Sequence, residues 1–316
     1  MKTLFLPLLL FLCLVGDARP DATSDGPNTP PLPMSHLSNI STRAFVQTGD
    51  NVIIGGFIVQ GMQSKSVIIR AIGPELVPFG IPDPLANPTL ELHDSTGALI
   101  ASNDNWVTTI IGGIITTDQV AAIRASGYAP TDVRESAMIV NLPPGNYTAI
   151  VRGISSTTGI GLVDVYDLSA IPASILGNIS TRALVQTGVE VMIGGFIIQG
   201  AQPKRVMVRA IGPSLTQYGV PNVLADPNLE LHNATGAVIA SNDNWMTTII
   251  GGIITSDQVR DITNSGLAPG QPTESAMIVT LPPGNYTAIV HGKNIIIGVA
   301  LVEVYDLDQR AGGNHN

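Results

Sequence analysis

The sequence predicts an all-β protein of two tandem β-sandwich, jelly-roll-like domains, each with about eight strands and one short helix. Three observations lead there. First, Asn39-Ile40-Ser41-Thr42-Arg43 recurs as Asn178-Ile179-Ser180-Thr181-Arg182, and the offset of 139 holds without a gap to Leu168 and Leu307. Across those 130 aligned positions 87 are identical. A period of that length is far beyond the 20–50 residues of solenoid units, so each copy is expected to be a domain with its own core. Second, each copy is a succession of short runs rich in Val and Ile, bounded by Gly, Pro, Asn or Asp, the pattern of strands. Third, no long 3.6-residue periodicity interrupts them, while 33 Gly and 23 Pro supply turns.

In chain order, residues 1–18 read as a secretory signal: Met1-Lys2, an apolar run from Leu4 to Val15, then Gly16-Asp17-Ala18 as a small-residue cleavage site. That run is too short to span a bilayer, so no transmembrane segment is expected in the mature chain. Cys13 is the only cysteine and lies in this leader, so disulfides and thiolate chemistry are not expected after cleavage. Residues 19–38 carry five prolines and read as a linker, with an arm adding to another subunit's sheet edge as the other reading. The first repeat, 39–168, then offers strands at 43–48, 51–60, 65–72, 89–93, 98–102, 135–142, 147–153 and 161–168. Alternation is clearest where Leu90 and Leu92 face one way and Glu91 and His93 the other. Asp94-Ser95-Thr96-Gly97 and Pro143-Pro144-Gly145-Asn146 are turns. Thr117, Asp118, Val120, Ile123 and Gly127 describe a short capped helix, repeated by Ser256, Asp257, Val259, Ile262 and Gly266. Residues 169–177 read as a linker, 178–307 as the second repeat and 308–316 as a tail.

Composition narrows the function. The formal charge is −9 with 15 basic residues and no basic run, which argues against nucleic acid as a partner. Aromatic residues make up 4%, with one tryptophan per repeat, Trp106 and Trp245, which is too few rings for a sugar-stacking platform. These tryptophans are expected to anchor the sandwich rim. No nucleophile elbow, zinc-protease helix or phosphate loop occurs.

The run LELHDSTGALIASNDNW followed by ESAMIVNLPPGNYTAIV resembles the bacterial pre-peptidase C-terminal domain, a small β-sandwich of secreted enzymes. The resemblance covers residues 89–106 and 135–168, about half of each copy. The first half, NISTRAFVQTGDNVIIGGFIVQG with VIIRAIGPEL, looks like a repeat of secreted bacterial proteins. The resemblance implies an accessory β-sandwich without catalysis.

Four groups of residues could carry chemistry or contacts. Asn103-Asp104-Asn105 and Asn242-Asp243-Asn244 place three oxygen-bearing side chains in one turn, with Asp94 nearby in the first copy and Asn233 in its place in the second. Such oxygens suit calcium, and equally suit a tight turn that bonds its own backbone. Glu91 with His93, and Glu230 with His232, are same-face pairs that could be metal ligands or an acid–base pair, but without a third partner at any recognisable spacing they read as surface-facing. Arg70 and Arg209 are expected to bridge structurally, to Glu91 or Glu135 in the first copy, with an anion-binding role as the other reading. Finally, TTIIGGIITT at 108–117 and TTIIGGIITS at 247–256 read as two-residue Gly-Gly hairpins pairing Ile111 with Ile114 and Ile110 with Ile115. Isoleucine then faces both sides of the ribbon, so Ile110, Ile111, Ile114 and Ile115, with Ile249, Ile250, Ile253 and Ile254, are either buried twice over or dock on another molecule.

The expected function is a non-catalytic exported structural or interaction protein, at the cell surface, in a matrix or in the periplasm. Its partner would be a protein or surface polymer, or a second copy of the chain. The alternatives are a calcium- or carbohydrate-binding accessory module and, third, a hydrolase with a dispersed site. No cofactor is required on this reading, calcium being the candidate.

Overall fold

A computed structural model describes residues 35–169 and 174–308. The expected signal segment, Cys13, the linker up to residue 34, residues 170–173 and the tail beyond Asp308 lie outside the described residues. The protein is all-β. The first repeat forms β1 (His36–Val46), β2 (Ile53–Gly61), β3 (Lys65–Ile72), β4 (Pro88–His93), β5 (Leu99–Asn103), β6 (Ser136–Leu142), β7 (Gly145–Gly153) and β8 (Gly159–Asp167). The second repeats them as β9 (Ser174–Val185), β10 (Met192–Gln199), β11 (Lys204–Ile211), β12 (Pro227–His232), β13 (Val238–Asn242), β14 (Ser275–Leu281), β15 (Gly284–Gly292) and β16 (Gly298–Asp306). One short helix follows the fifth strand of each repeat, α1 (Val120–Ala125) and α2 (Val259–Asn264). No helix among the described residues is long and apolar enough to cross a membrane.

Within the first repeat the strands pair in the orders β6-β3-β8-β1 and β5-β4-β7-β2, and the second repeat does the same with its counterparts. The repeats then join along both sheets. β1 pairs antiparallel with β10, Ile40 opposite Phe196, and β9 pairs antiparallel with β2, Gly55 opposite Thr181. The result is two eight-stranded antiparallel layers, β6-β3-β8-β1-β10-β15-β12-β13 and β5-β4-β7-β2-β9-β16-β11-β14, each half from one repeat. At the centre β1 and β9 run parallel, with Leu37 meeting Leu176 and Phe45 meeting Leu184. Both pairs are separated by the repeat offset, so a local twofold axis runs along these strands. On it, the Thr42 hydroxyl donates to the Thr181 hydroxyl at 2.8 Å, with both residues fully buried.

This arrangement corrects the expectation of two self-contained domains joined by a linker. One continuous core holds Val67, Leu90 and Leu92 of the first repeat together with Val206, Leu229 and Leu231 of the second. The physical reason is edge pairing: β1 and β2 would leave open edges on one sandwich, and β9 and β10 on the other, and the seams satisfy both. Parts of the expected linkers are strand. His36–Ser38 begin β1 and Ser174–Gly177 begin β9. Ser174 clips that start to the other repeat, its hydroxyl donating to Gln63 O and accepting from Gln63 N, and Ser35 does the same with Gln202. Asp308, expected in the tail, accepts the Arg205 amide.

The outer faces of β3, β6 and β8 are covered rather than solvated. Ile68, Ala137 and Tyr166 pack under Ile123 of α1 and Trp106, which donates its indole N–H to Asp132 O as the rim anchor expected of it. Arg70 does not bridge to Glu91 or Glu135. It forms a buried bidentate pair with Asp164 and donates to Tyr128 O, while Arg209 donates from Nε and Nη2 to the single oxygen Oε2 of Glu303. Glu135 instead accepts the backbone amides of Gly73 and Glu75 at 2.7 Å each. Burial raises its carboxyl to about 8.

Candidate functional site

The loop after β5 is where the sequence departs most from ordinary sandwich patterning, and the structure places it on the outer edge of its layer. The residue Ile100 is a bulge in the β4–β5 ladder, because Leu92 pairs with Ala101 while His93 pairs with Leu99. Its carbonyl accepts the amide of Ile114 at 2.9 Å. The tight turn is therefore Gly112–Ile115, closed by reciprocal 2.9 Å bonds between those two residues, not the expected pairing of Ile111 with Ile114. Gly113 fixes the shift. It adopts φ +54°, and a Cβ there would lie 2.0 Å from Ile100 O. The second repeat reproduces this turn with Gly252 against Ile239 O.

The one-residue shift sorts the isoleucines. Ile115 and Ile254 are 3% exposed and join the core. Ile110, Ile111 and Ile114 are 41%, 65% and 44% exposed, and Ile249, Ile250 and Ile253 are 41%, 65% and 43% exposed. Each repeat thus carries an apolar tip pinned by one buried isoleucine. By the strand order, one tip flanks β5 at one end of the molecule and the other flanks β13 at the opposite end.

The acidic turns are built as backbone brackets. Asn103 is buried, donating its amide to Thr108 O and accepting from Ala137 N, and Asn242 does the same with Thr247 O and Ala276 N. Asp94 accepts from Thr96 N, Thr96 Oγ1 and Ala98 N, which holds its carboxyl below the usual carboxylate range. Asn233 forms the same turn. In the second repeat Lys293 Nζ lies 2.6 Å from Asp243 Oδ2, supplying a cation to that turn. The backbone carbonyls of Asn105 and Asn244 close the turn onto the amides of Thr108 and Thr247. The oxygens buried without a hydrogen-bond partner among the described residues include four at matching positions, Asp104 Oδ1 and Asn87 Oδ1 in the first repeat and Asp243 Oδ1 and Asp226 Oδ1 in the second. Among the described residues no group of three His, Cys, Asp or Glu is arranged to hold a metal.

Histidine chemistry is more developed in the second repeat than the sequence suggested. Glu230 Oε2 lies 3.0 Å from His232 Nε2, and its Oε1 lies 3.7 Å from Nε2 of His291 on β15, a third partner that sequence spacing did not offer. Hydrogen bonding by His232, then His291, lowers the Glu230 carboxyl to about 2 and raises both imidazoles. The first repeat has Glu91 and His93 at 3.3 Å, with Arg152 where His291 stands. Sequence reasoning also missed Arg182, part of the repeated NISTR motif, which lines a groove on the outer face of the layer containing β9. The only sequence signal was its repetition beside Arg43.

No protein-family model matches the chain, and no curated protein does. Two solved structures show distant similarity. A DUF4785 family protein from Legionella pneumophila is 9% identical, over 87% of this chain and 84% of that one, with a TM-score of 0.24. A chain of the Sputnik virophage is 9% identical over 93% and 88%, with a TM-score of 0.12. Values this low carry no argument about fold or function.

Proposed function

We propose that this chain is an exported, non-catalytic interaction protein of two jelly-roll units fused edge to edge, which associates with further copies of itself through its isoleucine tips. The observation that carries this reading is the pair of solvent-facing tips, identical in residue and nearly so in exposure, on opposite ends of the molecule. Three large apolar side chains at each end form an exposed apolar patch, and such patches mark contact sites. Two equivalent patches allow a contact to recur from molecule to molecule. The strand orders β6-β3-β8-β1 and β5-β4-β7-β2 support a jelly-roll unit. The pattern of residues 1–18 supports export, and the likeness of residues 89–106 and 135–168 to pre-peptidase C-terminal domains supports an accessory role.

Light scattering on the exported protein tests it. Association should rise with concentration, and replacing Ile111 and Ile114 with Thr should weaken it while the melting temperature stays close to wild type. A monomer at every concentration, or a variant that unfolds with no change in assembly, refutes it.

A second reading, calcium held at the acidic turns, is favoured by the four orphaned oxygens near Asp104 and Asp243. On this reading chelation lowers the melting temperature, and Asp104→Ala with Asp243→Ala abolishes that dependence. Equal melting with calcium and with chelator leaves only the turn role.

A further inference from the structure

The outer face of the layer β5-β4-β7-β2-β9-β16-β11-β14 carries a groove of about 700 Å³ that crosses the seam between the repeats. That volume is in the range of small-molecule sites. The strands of the layer line it with Ile54, Thr148, Ser180 and Leu301, and the segment after β11 adds Gln217 and Tyr218. Two arginines line it. Arg209 is neutralised by Glu303, which also accepts from the Tyr305 hydroxyl. Arg182 is half-buried and makes no side-chain hydrogen bond or ion pair among the described residues. The groove therefore carries one uncompensated positive charge, in a chain whose formal charge is −9.

The twofold-related position shows what a structural arginine looks like in this fold. Arg43 is 5% exposed and donates Nη2 to Val189 O at 3.0 Å. Phe79, the counterpart of Tyr218, packs there against a cluster containing Ile72 and Leu76. On the groove side Tyr218 stands 77% exposed. The turn that would cover Arg182 is held elsewhere, with Gly49 O accepting from Arg152 Nη1 at 2.8 Å. Two departures from the repeat, Phe79 to Tyr218 and His291 to Arg152, thus coincide with one face closed over its arginine and the other open.

We infer that the groove binds a small hydroxylated monocarboxylate, of the sugar-acid class, with Arg182 as its anion anchor. A guanidinium presents a planar fork that matches a carboxylate with two parallel hydrogen bonds. The hydroxyls of Ser180 and Thr148 and the Gln217 amide both donate and accept, as hydroxyl groups of a ligand require. Ile54 and Leu301 suit the C–H face of such a molecule. One net positive charge matches a monoanion, while a dianionic phosphate would find no lysine and no second free arginine. The acidic surface as a whole disfavours polyanions.

This inference is independent of the isoleucine tips, and its test separates from theirs. Sodium glucuronate is titrated into the mature protein by calorimetry, with glucose and inorganic phosphate as parallel probes. Glucuronate should bind, glucose at least tenfold more weakly, and phosphate no better than glucose. Arg182→Gln should weaken glucuronate at least tenfold with an unchanged melting temperature, and Arg182→Lys should recover only part of that loss. Arg205→Gln, an exposed arginine paired with Asp261, should change nothing. Absence of glucuronate binding, equal binding of phosphate, or an unaltered affinity in Arg182→Gln overturns the proposal.

Discussion

Thr42 and Thr181 face each other where the two repeats meet, and neither side chain reaches water. A buried hydroxyl that loses its partner costs about 1–3 kcal/mol, whereas replacing both partners with apolar groups of like shape is close to neutral. Thr42→Val is therefore expected to destabilise the whole protein by about 1–3 kcal/mol in denaturant unfolding, and Thr42→Val with Thr181→Val by less than the sum of the single changes. Additive costs would mean that the hydroxyl contact contributes nothing. At the same scale, Glu230 lies between His232 and His291. The raised imidazoles contribute stability that is fully present below the unfolded value of 6.5 and lost as pH rises through their folded values. The lowered Glu230 carboxyl contributes stability that is present above 4.5 and lost as pH falls toward about 2. The melting temperature should therefore fall between pH 6 and 8, and Glu230→Gln should flatten that slope. Asp243 acts in the same direction on His291 and remains in the variant. An identical slope in the variant would assign the effect to other groups. Spacing offered the pair of Glu230 with His232 but not the third member. His291 replaces an arginine of the first repeat, and only the pairing of β12 with β15 brings it to Glu230.

Elements were the most legible level. Residues 65–72 coincide with β3, and the other expected strands differ by one or two residues at most ends, because alternation and turn residues act locally. The exceptions share one cause. β1 starts at His36 and β9 at Ser174, inside segments that read as linkers, because their partners are β10 and β2 of the opposite repeat. Pairing across the seam, not local propensity, makes them strand. The Gly-Gly hairpin was misread by one residue because its register is set by a carbonyl of the neighbouring bulge, Ile100, which no pattern within the loop encodes. The segment between β5 and β6 also closes the far edges of each half. Gln119 donates its side-chain amide to Ile139 O and accepts from Ile139 N, standing in for a further strand on β6, and Gln258 does the same for Ile278. The same stretch that presents an apolar tip at one edge blunts the other, so the proposed association would run through the isoleucines and not through strand addition.

For the whole molecule, the repeat was plain in the sequence and its consequence was not. Identity at 87 of 130 positions announces two like units, but no property of a single unit states whether like units sit apart or share their layers. The shared core implies one cooperative body. Calorimetry should show a single unfolding transition. The isolated first repeat, residues 35–169, should either melt well below the full chain or associate into dimers through its open β1 and β2 edges. Two independent transitions, or a stable monomeric half, would restore the picture of separate domains. The seams also set an order of events during synthesis. The contact of Ser35 with Gln202 closes across 167 residues, so β1 has no partner on its second edge until most of the chain exists. Non-local closure of this kind is slow, and the waiting species exposes unpaired strand edges. A chain of this design benefits from being kept unfolded until it is complete, and under the proposed export, crossing a membrane as an extended polymer before folding on the far side would do that.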